Sequence, residues 1–269
     1  MREHRVSEGL QWRWCREYEA RDGPFTDEPP RLGGMARYEV RTWDSDEELF
    51  DLVRAELFSA VVGDVMDKMG LLHQFLPPTI RPLRDDMVVV GRAMPVLEAD
   101  VFAETGNERV NPVMGQPFGL MFRALDDLHP NEVYVCTGST PRYALWGELM
   151  STRAIRLGAA GAVLNGFARD AAGVLRLGFP AFCYGAYAQD QGPRGKVIDF
   201  RVPLEIGGVR VSPGDIVLGD RDGVCVVPRE AEVEAFRRAI EKVRGEQRVR
   251  EALEAGMSAV DAFARYGIM

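Results

Sequence analysis

Apolar residues recur along this chain in two rhythms, one helical and one strand-like, and the switches between them outline its elements. Asp44-Ser45-Asp46-Glu47 is a helix-start signature, after which Leu49, Leu52 and Val53 follow at helical spacing. A second helix is expected from near Ser59 to just before Gly70, then a strand from Met87 to Leu97. Gly115 to Ala124 reads as mixed loop and helix. Glu132-Val133-Tyr134-Val135-Cys136 is a β-branched and aromatic run leaving through Thr137-Gly138-Ser139, which predicts a buried strand. Trp146 to Leu157 carries helix formers and stops at Gly158, and Gly161 to Gly166 is a second apolar run. Gly173 to Leu177 predicts a short helix and Ala181 to Tyr187 a strand. Val202 to Val227 is strand–turn–strand material broken by Gly207-Gly208, Pro213-Gly214-Asp215 and Asp222-Gly223. Glu230 to Ala255 predicts a long amphipathic helix, followed by a shorter one to Tyr266.

The strand–helix–strand run from Glu132 to Gly166 implies a right-handed parallel crossover. Both strands of such a unit end at one edge, and ligands bind outside those carboxyl ends. The segment Trp146-Gly147-Glu148-Leu149-Met150 and the pair Arg169-Asp170 therefore face one crevice. The amides of Gly147 to Met150 open a helix and favour an anion. Arg169 offers a fork that matches a carboxylate. Asp170 is a hard oxygen donor for a cation, and Glu148 can hold one of that cation's waters. The plainer alternative is that Glu148 only favours the helix start, with Arg169-Asp170 a surface ion pair.

Composition narrows the chemistry. The chain has 269 residues, 46% hydrophobic and 28% charged, enough for one large core. A formal net charge of -8 argues against a nucleic-acid partner, which needs a basic face. No apolar run is long enough to span a membrane, and the start lacks the apolar centre of a secretion signal. The cysteines Cys15, Cys136, Cys183 and Cys225 show no CxxC spacing and read as reduced thiols, which suits the cytoplasm. The histidines His4, His73 and His129 lie outside the crevice, so a metal there is a hard one, magnesium or manganese, rather than zinc. Lys68 is a weak candidate for a Schiff-base lysine and reads as a surface residue. Asp215, Asp220 and Asp222 read as turn formers, Tyr143 and Trp146 as core or pocket roof, and Arg194 as a candidate for a second substrate carboxylate.

Gly147-Glu148, twenty residues and Arg169-Asp170 resemble the carboxylate-x20-Arg-Asp signature of the RraA-like family. That family includes divalent-metal-dependent 4-hydroxy-4-methyl-2-oxoglutarate aldolases and regulators of ribonuclease E. Val62-Gly63-Asp64-Val65-Met66-Asp67-Lys68-Met69-Gly70 resembles the family's first helix and Val90-Gly91-Arg92-Ala93 its first strand. Ile206-Gly207-Gly208-Val209, Pro213-Gly214-Asp215 and Gly219-Asp220-Arg221-Asp222-Gly223-Val224 resemble its closing hairpin region. The likeness covers roughly residues 45 to 230.

The resemblance implies an α/β fold, with an RraA-like β/β/α core, flanking helices and C-terminal amphipathic helices. Residues 41–230 are then the catalytic domain, and 231–269 a helical segment packing on the core or a neighbouring subunit. Residues 1–40, unlike the family, are expected to form an N-terminal extension with little order of its own. The resemblance also implies a lyase on pyruvyl substrates, working through a pyruvate enolate by aldol cleavage or oxaloacetate decarboxylation. Arg169 and Glu148 are the implied catalytic residues. Gly147, Glu148, Leu149, Met150 and Arg169 would bind substrate, and Asp170 would hold Mg2+ or Mn2+ directly, with Glu148 acting through water. The first acid is often aspartate in the family and is glutamate here. Trimers or hexamers are the implied assembly, in some members with an acidic residue from a neighbouring subunit; no equivalent is placed in this sequence. The alternatives are a non-enzymatic regulator of a ribonuclease and, with less support, a methyltransferase, for which no Gly-x-Gly-x-Gly turn is present.

Overall fold

The protein is described by a computed structural model over residues 43–102 and 112–267. The expectation for the N-terminal extension, and Cys15 with it, lies outside the described residues. Ser45 opens helix α1 (Asp46–Glu56): its hydroxyl accepts from the Glu48 amide at 3.2 Å, and the Glu48 carboxylate accepts from the Asp44 amide at 2.9 Å. These bonds satisfy amides that a helix start leaves open. Helix α2 (Ser59–Lys68) ends before Gly70, as its sequence predicts. There follow β1 (Arg81–Pro82), β2 (Val89–Asp100), α3 (Met121–Asp126), β3 (Glu132–Thr137), β4 (Ala144–Trp146), α4 (Glu148–Leu157), β5 (Gly161–Leu164), β6 (Phe167–Ala168), α5 (Ala171–Leu177) and β7 (Ala181–Cys183). The described chain closes with β8 (Gly195–Phe200), β9 (Leu204–Ile206), β10 (Val209–Val211), β11 (Ile216–Asp220), β12 (Gly223–Val227), α6 (Glu232–Glu254) and α7 (Ala259–Tyr266).

The main sheet runs β1-β7-β5-β3-β2-β11-β12, with β8 pairing alongside β2. Strands β7, β5, β3 and β2 are mutually parallel, and the remaining pairings are antiparallel. The crossover expected between Glu132 and Gly166 is β3–α4–β5, and β5–α5–β7 repeats it. Side chains alternate across a strand, so β3 sends Val133 and Val135 into one apolar cluster and Tyr134 and Cys136 into another. Val217, Val224 and Val226 from the far wing join the Val133 cluster. Ile216, Leu218, Cys225 and Val227 point the other way, under α1, α2 and α6. Both wings thus share one interior, and the sheet curls into a nearly closed barrel. Arg81 of β1 donates to the Arg221 carbonyl, between β11 and β12, at 3.0 Å.

Several boundaries differ from the periodicity. The helix expected from Trp146 begins at Glu148, because Ala144–Trp146 pairs in parallel with Phe167–Ala168. Strand β2 continues to Asp100, three residues beyond Leu97, since β8 pairs with its second half. Strand β7 stops at Cys183, four residues short of Tyr187. Helix α5 starts at Ala171, two residues before Gly173, whose poor helix propensity masks that first turn.

Other readings meet the structure directly. Tyr143 and Trp146 are buried core residues, and Cys136, Cys183 and Cys225 are buried free thiols. Asp215 accepts from the amides of Ser212 (2.7 Å) and Arg229 (3.0 Å), and Asp220 from the Ser59 amide (2.6 Å) and hydroxyl (2.7 Å). Helix α6 buries Ala235, Phe236, Ala239 and Ile240 in the cluster it shares with α1 and α2 of its own chain. Among the described residues no helix is long and apolar enough to cross a membrane.

Candidate functional site

The short ladder β4–β6 builds the crevice. Trp146 pairs with Ala168, and the Arg169 amide donates to the Trp146 carbonyl at 2.8 Å. Beyond this rung both strands turn into helices, β4 through Gly147 into α4 and β6 through Arg169-Asp170 into α5. Trp146 makes the floor rigid. Its indole stacks on Phe179 (5.6 Å between centroids), and its N–H donates to Ser151 Oγ at 2.7 Å. Ser151 in turn donates to the Gly147 carbonyl at 3.1 Å. No side chain caps α4 among the described residues, so its first amides remain open for an anion.

Asp170 sits in the left-handed backbone region (φ 53°, ψ 34°) at the start of α5. Its carbonyl accepts from the Gly173 and Val174 amides at 2.8 and 3.1 Å, whereas its carboxylate makes no capping bond. The unusual backbone instead swings the carboxylate toward Gly147: a Cβ on Gly147 would lie 2.9 Å from Asp170 Oδ2 and 3.3 Å from Arg169 Cγ. Gly147 is extended (φ −158°), so contact rather than backbone freedom keeps this position small. Gly147→Ala is therefore expected to displace Asp170 and to lower any activity that depends on it about ten- to hundredfold. The melting temperature should stay within about 3 °C; kinetics and a thermal melt on the same sample check both.

Arg169 lies between two carboxylates. Its Nε is 3.4 Å from Asp170 Oδ2, and its Nη1 donates to Asp190 Oδ1 at 2.5 Å. Among the described residues no bond occupies Nη2. Glu148 leans over α5, accepting from Arg176 Nη2 at 3.1 Å, and a Cβ on Gly173 would overlap its carboxyl group. Leu149 is 84% exposed at the crevice rim, while Met150 is half-buried against the core. Arg194 donates to the Asp190 carbonyl at 3.0 Å, a bond within its own loop.

Two groups escaped the sequence reading. Asp190 lies in an aperiodic loop twenty-one residues from its arginine. Arg176 was visible only as a cation three residues after Gly173. Among the described residues no group of three or more His, Cys, Asp or Glu could hold a metal ion.

A model of the RraA-like family, described as Aldolase/RraA, matches residues 59–226. The chain belongs to the RraA-like family. A Halalkalibacterium halodurans relative of that family, named "Putative 4-hydroxy-4-methyl-2-oxoglutarate aldolase", is 30% identical over 206 residues, 75% of this chain and 87% of its own. DlpA of Legionella pneumophila is 26% identical over 77% of this chain, which spans only 32% of DlpA's length. The Streptomyces coelicolor RraAS2 structure, of the RNase ES inhibitor RraA family, superposes with a TM-score of 0.66 over 78% of this chain and 99% of its own. At 24% identity that likeness shows the RraA-like fold alone.

Proposed function

We propose that this RraA-like protein is a divalent-metal-dependent carbon–carbon lyase that forms a pyruvate enolate. It would cleave 4-hydroxy-4-methyl-2-oxoglutarate-like acids, decarboxylate oxaloacetate, or do both. The observation that carries this reading is the convergence of open α4 amides, Arg169 and Asp170 at the shared end of β4 and β6. The aldolase name borne by the Halalkalibacterium relative supports the same reaction class.

Asp170 would hold the cation directly and Glu148 one of its waters; magnesium and manganese both suit oxygen donors. When bound, such an ion supplies a Lewis acid beside the substrate's keto oxygen. Arg169 and the amides of Leu149 and Met150 fix the pyruvyl carboxylate. The same donors face the charge that grows as the carbon–carbon bond breaks, so they bind the transition state better than the substrate. Glu148, braced by Arg176, orients the water through which the proton passes between substrate and solvent. In oxaloacetate the broken bond releases carbon dioxide. In the tertiary alcohol it also requires loss of the hydroxyl proton, so decarboxylation is the easier reaction. The assembly is proposed as a trimer or hexamer in the cytoplasm.

The test is pyruvate release from oxaloacetate and from 4-hydroxy-4-methyl-2-oxoglutarate, each with magnesium, manganese or a chelator. Release from both that the chelator stops is the expected result. Release from oxaloacetate alone would restrict the reading to decarboxylation. No release from either, with metal binding confirmed by calorimetry, would overturn it in favour of a regulator.

A further inference from the structure

The loop that carries Asp190 is fastened at a second point, and that point is a buried carboxyl group. Glu98, on β2, is 2% exposed. Its Oε1 accepts from the side-chain amide of Gln191 at 2.8 Å, one residue beyond Asp190. Within the loop the Gln191 carbonyl accepts from the amides of Arg194 (2.7 Å) and Gly195 (2.9 Å). Asp190 Oδ2 accepts from the Gly192 amide at 3.0 Å, and the Ala144 amide ties the Gln189 carbonyl to β4 at 2.9 Å. Where the loop enters β8, Gly195 packs so closely that a Cβ there would overlap both Tyr143 and Glu98.

The Tyr143 hydroxyl is within donating reach of both Glu98 Oε1 (3.4 Å) and Asp100 Oδ1 (3.1 Å). Burial is the largest influence on the Glu98 carboxyl and raises it to about 8; bonds from Tyr143 and Gln191 oppose the rise and Asp100 adds to it. The ionisable groups facing Glu98 are Asp100 on its own strand, Tyr143 before β4, and Tyr134 and Cys136 on β3. None of these is cationic.

We propose that Glu98 is a positioning residue for Arg169: through Gln191 it fixes the loop from Gln189 to Gly195, so that Asp190 holds the guanidinium with an edge turned to the substrate carboxylate. This deepens the lyase reading and rests on Arg169 as its carboxylate-binding residue. A protonated Glu98 can anchor the loop without an uncompensated buried charge. Because its folded pKa stands above the unfolded value of 4.5, the stability it contributes is complete at acid pH and is lost as pH rises toward about 8.

The experiment compares wild type with Glu98→Ala, Glu98→Gln and Gln191→Ala, using amide exchange of residues 189–195, oxalate affinity with magnesium, and oxaloacetate kinetics. Glu98→Ala and Gln191→Ala should each lose loop protection by about five- to tenfold and weaken oxalate binding and KM by a similar factor. The value of kcat should change less than about threefold. Glu98→Gln keeps the carbonyl acceptor and is neutral, so it should restore both readouts. Its loop protection should also stay level through pH 8, where that of wild type falls. Gln191→Ala changes only the loop side and so reads the bond even if the core substitution fails to fold. Equal protection in all four proteins would overturn the proposal, as would a loss in Glu98→Gln as large as in Glu98→Ala. The exchange arm needs no turnover: an inactive wild type counts against the lyase reading, while exchange still decides whether Glu98 anchors the loop.

Discussion

Asp170→Ala is expected to lower metal-dependent pyruvate release by roughly a thousandfold or more while the fold survives. The two halves of that expectation have separate causes. Helix α5 hangs on the Asp170 carbonyl, which accepts from Gly173 and Val174, and the carboxylate contributes no cap. Removing it therefore costs the helix no hydrogen bond. Alanine does tolerate the left-handed backbone less well than aspartate, by about 1 kcal/mol. Asp170→Asn separates this strain from the chemistry, because asparagine accepts that backbone and keeps the volume but loses the charge. Both variants should melt within a few degrees of wild type and both should lose turnover, with the magnesium dependence weakened or gone. Full turnover with unchanged metal dependence in either would remove Asp170 from the site.

What the sequence made legible follows physical range. Val133 to Val135 and the glycine stop at Gly158 are local signals, and they located the crossover and its ligand-binding edge. The β4–β6 ladder was not legible, since it rests on two rungs and Trp146, the last residue of β4, reads as the start of a helix. Asp190 and Glu98 were opaque for a related reason. An aspartate in a loop and a glutamate near a strand end have meaning only through partners brought close by the fold, Arg169 in one case and Gln191 in the other. The crossover put the Gly147-Glu148 and Arg169-Asp170 pairs at one crevice, and resemblance to the RraA-like family gave them roles. Spacing alone left the surface ion pair open. The structure adds the reason for the small residue at 147, which is the room that Asp170 and Arg169 need.

Arg169→Lys should reduce catalytic efficiency on pyruvyl substrates by about a hundredfold or more, chiefly through KM. Lysine preserves the charge, so a field effect alone predicts little change. The guanidinium, however, has several edges in use at once: Nη1 meets Asp190, Nε faces Asp170, and Nη2 stays open among the described residues. A lysine ammonium is a single point of charge between two carboxylates, and it settles on one of them. The substrate carboxylate then has only the α4 amides, and Asp170 acquires a competitor for the cation it is proposed to hold. Asp190→Asn gives the counterpart. It weakens the brace but leaves the fork, so its loss should be smaller, about tenfold, and should also fall on KM. Steady-state kinetics on oxaloacetate for the two variants side by side decide the matter. If Arg169→Lys keeps near-normal efficiency, the fork does not bind the substrate and its pairing with Asp190 is only structural. If Asp190→Asn loses as much as Arg169→Lys, the arginine's orientation rather than its shape is what the reaction requires.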